Sequence, residues 1–560
     1  MPDTYNVADS LRSHAQSRPD APALRFPSAR YRTNAPTWDT WTFAELDRHS
    51  DGYARAFADH GVNAGDRTLV LLKPDLEFYA TLFGLFKVGA VPVLLDPGMG
   101  LKALLACIER TCPRVLVGIT PVHIVSTFAR APFATVALRF TRGIRLWWGG
   151  ANLASAKRMA DEPFALARLP ADADAAIIFT SGSTGPAKGV ASKQAMFHSQ
   201  VHAIRDMLGL QPGWTDVQCF AAFALYDISM GLCSVIPQMN LSKPATADPK
   251  DILAAVSTFH PESAFASPIV WQNLSRHCVT EQVTIDSLKL AITVGAPIPA
   301  YLHRRFREIL PAGCQIHTPY GATEGLPVSH IATDTILGTS EVAGTWDRTA
   351  AGHGTCVGSP APGAELAIIG ITEDPIPSWT DDLRVPRGEI GEVVVSGTQV
   401  SPEYKDAPQA NQKSKIADGD RIRHRMGDLG YLDEQGRLWF CGRKAHRLET
   451  ATGMVPAVPV EGVFNEHPDV FRTALVGVGR RGMEVPVLCV ELEPGAHWSE
   501  DLLEELQQRA RGTRWQDTVV RFLHHEAFPT DARHNSKIRR EDLKQWATRQ
   551  AGDLTTEVVA

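Results

Sequence analysis

The sequence predicts an α/β protein with a large N-terminal domain, residues 1–443, and a smaller C-terminal domain, residues 444–560. Three observations support this prediction. A chain of 560 residues is too long for one hydrophobic core, so at least two domains are expected. Helical and buried-strand patterns alternate along the first part, which is typical of a parallel sheet covered by helices. The pattern then changes near Gly388 and again after Arg443.

The N-terminal elements follow from the spacing of apolar side chains. These side chains recur at helical spacing over 43–60, and Thr68–Leu72 has the composition of a buried strand. The apolar stretch Phe78–Gly89 predicts a helix, and Ala90–Leu95 predicts the next strand. A further short strand, Ala175–Phe179, leads directly into a loop of Gly, Ser and Thr. The order of these elements is that of a helix-covered sheet.

Beyond Gly388 the predicted elements are shorter. Gly391–Ser396 and Gly430–Phe440 contain short alternating strands separated by polar turns such as Asp433–Gly436. The region after Arg443 mixes helices and strands and is large enough for a small α+β domain. Its predicted elements are helix 460–466, strands 473–478 and 485–492, helix 499–510 and strand 519–524.

Composition and charge exclude several classes of protein. The net charge of −6 gives no electrostatic reason to expect nucleic acid or an anionic membrane as the main partner. The N-terminus has no basic stretch followed by an apolar one, so no signal peptide is predicted. No apolar run approaches the ~18–20 residues that span a bilayer. We therefore expect a soluble, cytoplasmic protein that is not an integral membrane protein.

The nine cysteines are scattered, without a Cys-x-x-Cys pair. Cys107 and Cys112 are the closest two, and no His or Cys stands near them to complete a zinc site. Free thiols in a reducing compartment are the expected state.

The segment 133–148 combines aromatic residues with Arg139, Arg142 and Arg145. One interpretation is a helix that docks on a membrane surface or a partner. The other is a surface excursion that packs on its own domain.

The strongest motif is the loop after the strand 175–179. It reads Thr180-Ser181-Gly182-Ser183-Thr184-Gly185-Pro186-Ala187-Lys188-Gly189. Glycines let backbone N–H groups approach a phosphate closely, and the hydroxyls and the lysine add donors. It is not a Walker A loop, which needs Gly before and Ser or Thr after the lysine. The alternative, a flexible linker, would need neither the preceding strand nor the lysine. The residues expected to bind nucleotide phosphates are Thr180, Ser181, Gly182, Ser183, Thr184 and Lys188.

This loop resembles the phosphate-loop signature of the adenylate-forming superfamily, which includes acyl-CoA synthetases, peptide-synthetase adenylation domains and luciferases. The resemblance continues in order along nearly the whole chain. It implies a large N-terminal domain of two α/β subdomains plus a β-rich subdomain, and a small mobile C-terminal domain hinged near Lys444. It also implies ATP and Mg²⁺ as cofactors.

The segment Thr318–Glu324 resembles the family's aromatic-Gly-x-Thr-Glu motif. By this resemblance Tyr320 and Gly321 lie at the adenine, Thr323 bonds the α-phosphate and Glu324 holds Mg²⁺. The chemistry agrees, because a hard cation prefers carboxylate oxygen beside the phosphates that it neutralises. The strand-end turn expected against the adenine is Gly295-Ala296-Pro297.

The segment Arg425–Asp428 resembles the family's x-x-Gly-Asp motif. The resemblance implies that Asp428 accepts both ribose hydroxyls, which two carboxylate oxygens can do. The alternative for Asp428 is a plain turn aspartate. Arg443 would then reach the ribose or a phosphate at the hinge.

Near the C-terminus, Phe528–Arg540 resembles the family's terminal segment that ends in Gly-Lys-Ile. Lys537 therefore corresponds to the lysine that assists adenylation, although Ser536 stands where glycine is usual. A cation between the substrate carboxylate and the α-phosphate would stabilise the negative charge of the transition state. The alternative is a surface lysine in a basic tail.

Departures from the common pattern point to a subfamily. Ala445 follows Lys444 where Asp or Lys is common, Glu461 ends a Pro-Val-Glu that replaces Glu-Ile-Glu, and Asp227 stands near where histidine is frequent. Together they resemble the β-lactone synthetases of bacterial long-chain olefin biosynthesis. The implied reaction activates a 2-alkyl-3-hydroxy long-chain fatty acid as acyl-AMP, and the 3-hydroxyl then closes a β-lactone.

The subfamily resemblance leaves three points open. Asp227 is a candidate base for the 3-hydroxyl, and the alternative is a structural carboxylate. A long-chain acyl-CoA ligase on the same scaffold is a rival function, and a non-catalytic adenylate-binding scaffold is a remote one. Besides the long-chain 3-hydroxy acid, other enzymes of olefin biosynthesis are expected as partners in a soluble complex.

Overall fold

The computed structural model describes residues 4–180, 187–296, 298–519, 521–530 and 538–551. Within these ranges the chain forms two large sheets with helices, followed by a smaller C-terminal region with a sheet of its own. The α-helices are Asp9–Ser17, Phe43–Asp59, Leu76–Lys87, Leu101–Thr111, Thr120–Phe128, Leu153–Ala156, Gln194–Leu208, Ala224–Met230, Pro249–Phe259, Pro268–Glu281, Ala300–Ile309, Thr333–Leu337, Trp346–Ala350, Pro408–Ser414, Ala457–Phe464, Glu500–Ala510 and Arg540–Ala551.

The first sheet has seven strands among the described residues. All neighbours are parallel except the last two strands, which form an antiparallel pair. In spatial order the strands are Ala151–Asn152, Leu138–Arg142, Val115–Ile119, Arg67–Leu71, Val91–Leu94, Asp174–Thr180 and Lys188–Lys193.

The second sheet has fourteen strands within the described ranges and is continuous. One half is mainly parallel and the other antiparallel, so the second α/β part and the β-rich part share one sheet. The hairpin of Gln315–Ala322 and Gly325–Ala332 joins the halves. In spatial order the strands are Glu365–Ile369, Gly391–Ser396, Arg421–Leu432, Leu438–Arg443, Thr355–Pro360, Gly325–Ala332, Gln315–Ala322, Leu290–Thr293, Ser263–Ala266, Thr215–Gln218, Cys233–Val235, Pro22–Pro27 and Trp38–Thr42, with Lys415–Asp418 paired to Arg421–Leu432.

The largest core contains strand residues of both sheets, such as Val117 of the first and Ile292 of the second. The helix Phe43–Asp59 contributes buried side chains to it and begins with a capping box. Thr42 accepts a hydrogen bond from the Glu45 backbone, and the Glu45 side chain accepts one from the Thr42 backbone. This local arrangement satisfies two backbone donors at the helix start.

The C-terminal region has its own buried apolar clusters. It contacts the rest of the chain through Trp515, whose Nε1 donates to the Gly352 carbonyl at 2.7 Å, and through an Arg276–Glu493 ion pair at 2.8 Å. Its strands are Leu448–Thr450, Gly453–Val455, Val470–Val478, Val485–Leu492 and Arg521–His524.

The predicted elements are confirmed with ends shifted by a few residues. The stretch 430–440 contains, as expected, the polar turn at Asp433–Gly436, which joins the strands Arg421–Leu432 and Leu438–Arg443. The segment 133–148 forms no docking helix, because Leu138–Arg142 is a strand of the first sheet and Phe140 is buried. Trp148 stacks on His123, so this segment packs on its own domain.

Among the residues that the structure describes, none of the helices combines the length and the apolar character needed to cross a bilayer.

Candidate active site

A cavity of about 570 Å³ lies where the second sheet meets the C-terminal region. Its walls come from the ends of parallel strands, from the antiparallel half of the sheet and from the segment after Arg443. The sequence-predicted residues that line it are Lys188, Gly295, Ala296, Tyr320, Gly321, Thr323, Glu324, Asp428 and Arg443. Folding therefore brings motifs that are far apart in the sequence to one cavity.

Thr323 and Glu324 occupy a two-residue hairpin turn at the cavity wall. Their neighbours Ala322 and Gly325 pair directly, which makes the turn tight. A Cβ on Gly321 would lie only 2.9 Å from the Gly325 carbonyl oxygen, so glycine is required for this close approach. The turn holds a hydroxyl and a carboxylate side by side at the cavity.

Glu324 is held from the side by Tyr404. The Tyr404 hydroxyl donates to Glu324 Oε1 at 2.7 Å, and the Ser401 backbone N–H donates to the Glu324 carbonyl at 2.7 Å. Lys188 Nζ lies 4.9 Å from the centroid of the Tyr404 ring, within the range of a cation–π contact. Tyr404 thus contacts both the predicted metal ligand and the predicted phosphate-binding lysine.

Lys415 is a buried cation behind this wall. Its Nζ donates to the Ser401 carbonyl at 2.5 Å. Burial lowers the pKa of Lys415 to about 7, although the carboxylates of Glu324 and Glu403 favour the charged form. The ammonium is therefore sensitive to the charge at Glu324.

Asp428 is buried and lies between Tyr320 and Arg443. Its Oδ2 accepts a hydrogen bond from the Tyr320 hydroxyl, and Arg443 lies 2.9 Å from Oδ1. Arg443 therefore forms an ion pair with the carboxylate. Burial raises the pKa of Asp428, while Arg443 opposes that shift. A carboxylate has about four acceptor sites, so it can still accept hydrogen bonds from a ligand in the cavity.

The phosphate loop is described at its two ends. Thr180 and Lys188 are paired across the antiparallel strands Asp174–Thr180 and Lys188–Lys193. Ser181, Gly182, Ser183 and Thr184 lie outside the described residues, as does Pro297 of the adenine turn.

The segment that follows Arg443 is held by buried charges. Lys444 Nζ lies 3.1 Å from Glu392 Oε2, which also accepts from Arg425 Nη2 at 2.6 Å. The next turn, Lys444–His446, brings the His446 side chain to the cavity. Burial lowers the pKa of His446 to about 3, and Arg540 and Arg443 shift it in the same direction.

The C-terminal region reaches the cavity through Ile538 and Arg540. Arg540 forms two contacts with Glu461, at 2.5 and 2.9 Å, which fix its guanidinium. Lys537, which precedes Ile538, lies outside the described residues. The C-terminal region is closed over the cavity at this point.

Asp227 lies in a buried polar cluster. Its carboxylate accepts from Ser234 Oγ at 2.8 Å and from Gln218 Nε2 at 3.2 Å. Gln218 also donates to Asp216, so the two acids share a partner. Asp227 is not among the residues that line the cavity described above. Its role as the base stays a prediction, and the structural carboxylate stays the alternative.

Four residues near the cavity were not predicted as site residues: Tyr404, Lys415, His446 and Arg540. Tyr404 and Glu324 are 80 positions apart, and local spacing carries no signal of such a contact. Arg540 ends the segment Phe528–Arg540 that resembles the family's terminal motif, and His446 directly follows Ala445, one of the departures from the family pattern, so both adjoin residues that the sequence marks.

Within the described ranges, no group of three or more His, Cys, Asp or Glu side chains is arranged to hold a metal ion.

The chain is similar to known proteins along nearly its whole length. A family model described as AMP-binding enzyme matches residues 11–405. The olefin beta-lactone synthetase of Xanthomonas campestris pv. campestris is 43% identical over 97% of this chain and 98% of that protein. That of Stenotrophomonas maltophilia is 41% identical over the same shares. The solved anthranilate CoA ligase AuaEII in complex with anthranoyl-AMP has a TM-score of 0.76 at 20% identity, over 98% of this chain and 99% of that one.

Proposed function

Because this chain belongs to the AMP-binding enzyme family and has the fold of adenylate-forming enzymes, we propose that it is an ATP-dependent β-lactone synthetase. It activates a 2-alkyl-3-hydroxy long-chain fatty acid as acyl-AMP and closes this intermediate to a β-lactone, releasing AMP and pyrophosphate. The single observation that carries the proposal is the 43% identity, over nearly the full length, with a protein named olefin beta-lactone synthetase.

The cavity fits a nucleotide because it contains polar atoms whose bonds a ligand can complete. Thr318 Oγ1 is buried and has no hydrogen-bond partner in the described part of the chain. The Asp428 carboxylate is paired with Arg443 at 2.9 Å and can accept further hydrogen bonds. A buried polar atom costs free energy unless a ligand completes its bonds. In the proposal Asp428 accepts from the ribose hydroxyls, and Arg443 supports the ribose or a phosphate. The adenine lies against Tyr320, Gly321, Gly295, Ala296 and Pro297.

Glu324 is the proposed Mg²⁺ ligand. Tyr404 occupies one acceptor site of the carboxylate, which has others left. Mg²⁺ is usually held by one or two carboxylates together with phosphates and water, so a single carboxylate fits. When bound, Mg²⁺ neutralises charge on the phosphates.

In the first step a carboxylate oxygen of the acid attacks the α-phosphorus of ATP, and the bond to pyrophosphate breaks. Thr323 donates to the α-phosphate, and Lys188 with Thr180, Ser181, Gly182, Ser183 and Thr184 holds the remaining phosphates. Lys537 bridges the substrate carboxylate and the α-phosphate. Because Lys537 belongs to residues 444–560 and the phosphate loop to residues 1–443, this step needs the two proposed domains to close on each other.

In the second step the 3-hydroxyl oxygen attacks the activated carbonyl carbon. A carbon–oxygen bond forms, the bond to AMP breaks, and the hydroxyl proton leaves. The attack is intramolecular, so positioning supplies much of the acceleration and no thiol is required. The acyl-phosphate bond provides the free energy that offsets the ring strain.

We propose further that the protein works in the cytoplasm with other enzymes of olefin biosynthesis. All nine cysteines are free thiols, which agrees with a reducing compartment.

The test uses purified protein with ATP, Mg²⁺ and a synthetic 2-alkyl-3-hydroxy fatty acid, with and without CoA. Pyrophosphate release and a product one water lighter than the acid, formed without CoA, are expected. A thioester that forms only with CoA would instead identify an acyl-CoA ligase. No pyrophosphate under either condition would indicate a non-catalytic protein.

A further inference from the structure

We propose that the surface formed by the helix Thr120–Phe128 and the loop 143–150 docks on a bilayer that contains anionic phospholipid. This docking surface belongs to the region around the first sheet, and none of its residues lines the cavity. Two features carry the proposal: a cluster of exposed apolar side chains and a local excess of positive charge.

Large apolar side chains are concentrated at the docking surface and face solvent. Phe128 is 77% exposed, Ile144 72% and Trp147 64%, and Val125 and Leu146 are exposed as well. These five make up half of the exposed large apolar residues in the part of the chain that the structure describes. Scattered single residues of this kind are normal on a protein surface, whereas a cluster indicates an interaction site.

Direct contacts hold the loop against the helix. At the start of the helix, Thr120 Oγ1 donates to the Ile144 carbonyl at 2.8 Å. The Trp148 ring stacks on the buried His123, with ring centroids 5.4 Å apart. Trp147 meets the Trp148 ring at a steep angle, with centroids 5.6 Å apart, and stays exposed. One tryptophan therefore anchors the loop on its own domain, and the next remains available for an external partner.

Positive charge is concentrated in the same part of the chain. Residues 110–160 contain eight Lys or Arg and no Asp or Glu, although the net charge of the protein is −6. Carboxylates from neighbouring elements neutralise some of these cations, as Asp75 does for Arg142. Arg130 and Arg145 are exposed and form no ion pair with any described residue. The overall charge of the protein thus conceals a basic surface.

An anionic bilayer satisfies both features at once. Aromatic and aliphatic side chains enter the boundary between headgroups and acyl chains, and arginines bind the lipid phosphates. A second copy of this chain fits less well, because a twofold contact through this surface would bring the same arginines together. The proposed substrate gives a further reason, since an acid with two long alkyl chains partitions into bilayers. This last reason rests on the proposed function, and the other two do not.

The test measures co-sedimentation of the purified protein with vesicles of phosphatidylcholine alone and of phosphatidylcholine mixed with phosphatidylglycerol. Binding to the anionic vesicles is expected, with weaker binding to the neutral ones and a decrease as salt is added. The double variant Phe128→Ser/Trp147→Ser should lower the partition coefficient at least about tenfold. Val342→Ser/Met483→Ser is the matched control, because these residues are 67% and 63% exposed but lie outside the docking surface.

Variants of the two arginines test the electrostatic part. Arg130→Gln/Arg145→Gln should weaken binding to the anionic vesicles about fivefold for each arginine. Arg130→Lys/Arg145→Lys should bind like wild type, because attraction to an anionic surface depends on the positive charge.

No binding of wild type to the anionic vesicles would overturn the proposal, as would equal binding by Phe128→Ser/Trp147→Ser. Self-association that this variant abolishes, seen by sedimentation velocity without any vesicle binding, would identify a contact between copies and overturn it as well. Pyrophosphate release without vesicles should be the same in wild type and in all variants. If none of them releases pyrophosphate while vesicle binding still depends on the docking surface, the proposed function fails and the docking proposal stands.

Discussion

Tyr404 donates its hydroxyl hydrogen to Glu324 Oε1 across 2.7 Å, although the two residues are 80 positions apart in the chain. The same ring faces two ammonium groups, with Lys188 at 4.9 Å and Lys415 at 5.3 Å from its centroid. The hydroxyl orients the carboxylate while the ring attracts the cations. One tyrosine therefore couples the proposed metal ligand to the proposed phosphate-binding lysine.

The first prediction is that Tyr404→Phe lowers the rate of ATP–pyrophosphate exchange and raises the Mg²⁺ concentration that the enzyme needs. The variant keeps the ring but removes the hydrogen bond to Glu324. A hydrogen bond to a charged group contributes about 1.5–3 kcal/mol, so kcat/KM for ATP–pyrophosphate exchange should fall about 10- to 100-fold. The Mg²⁺ concentration for half-maximal rate should rise. Titrations of Mg²⁺ at saturating ATP measure this.

Tyr431→Phe is the matched control for that variant. The Tyr431 hydroxyl is buried but has no hydrogen-bond partner in the described part of the structure, and the residue does not line the cavity. Removing this hydroxyl should leave the rate of ATP–pyrophosphate exchange and its Mg²⁺ requirement unchanged. An unaltered Mg²⁺ requirement in Tyr404→Phe would show that Tyr404 does not position Glu324.

The second prediction is that Asp428→Asn binds ATP more weakly. The amide removes the charged acceptor for the ribose hydroxyls and leaves the Arg443 guanidinium, 2.9 Å away, without its partner carboxylate. A hydrogen bond to a charged group contributes about 1.5–3 kcal/mol, so kcat/KM for ATP should fall about 10- to 100-fold. ATP–pyrophosphate exchange at varied ATP measures this, and an unchanged kcat/KM would contradict the proposed contact with the ribose.

The sequence predicted most of the fold and the motifs at the cavity, because these depend on local patterns. Apolar spacing located the helix Phe43–Asp59 and the strand Asp174–Thr180 within one or two residues. The motif around Thr323 and Glu324 was sufficient to predict cavity residues, because a two-residue turn fixes both side chains at once.

The remaining contacts depend on tertiary structure. Asp227 occupies a motif position expected beside the acyl pocket, yet the helix Ala224–Met230 directs its carboxylate toward Ser234 and Gln218. The bond between Tyr404 and Glu324 arises only when two distant segments fold together. The local sequence pattern predicts the secondary-structure element that carries a side chain. The contacts of that side chain depend on how the neighbouring elements pack.

The third prediction concerns the buried acids Asp216 and Asp227. Burial raises the pKa of Asp216 from 3.8 to about 6, and burial raises that of Asp227 well above 3.8. Between the unfolded and folded pKa values of these two groups the folded state binds more protons, so their contribution to stability falls as the pH rises. The pair should therefore contribute a decrease in the free energy of unfolding in urea from about pH 4 to pH 6 and beyond, alongside the contributions of the other ionisable groups.

Asp227→Asn should flatten that decrease and raise the free energy of unfolding at pH 7, because the amide has no charge to bury. The side chain lies outside the cavity, so lactone formation should stay at the wild-type rate. Slower lactone release with normal acyl-AMP formation would instead support Asp227 as the base for the 3-hydroxyl.

The last prediction tests closure of the C-terminal region through Gly352 and Trp515. The Trp515 indole donates to the Gly352 carbonyl, and a Cβ on Gly352 would lie 2.7 Å from Nε1 of that indole. Gly352→Ala should therefore displace Trp515 and lower the rate of ATP–pyrophosphate exchange about tenfold or more, since the first step needs the closed arrangement. Gly388→Ala is the matched control, because its φ of 82° is close to the 84° of Gly352 but nothing lies within 4 Å of its Cβ. The control should lose only the ~1–2 kcal/mol that left-handed backbone costs an L-residue. Equal losses of exchange activity in both variants would mean that backbone strain, and not the contact with Trp515, is responsible.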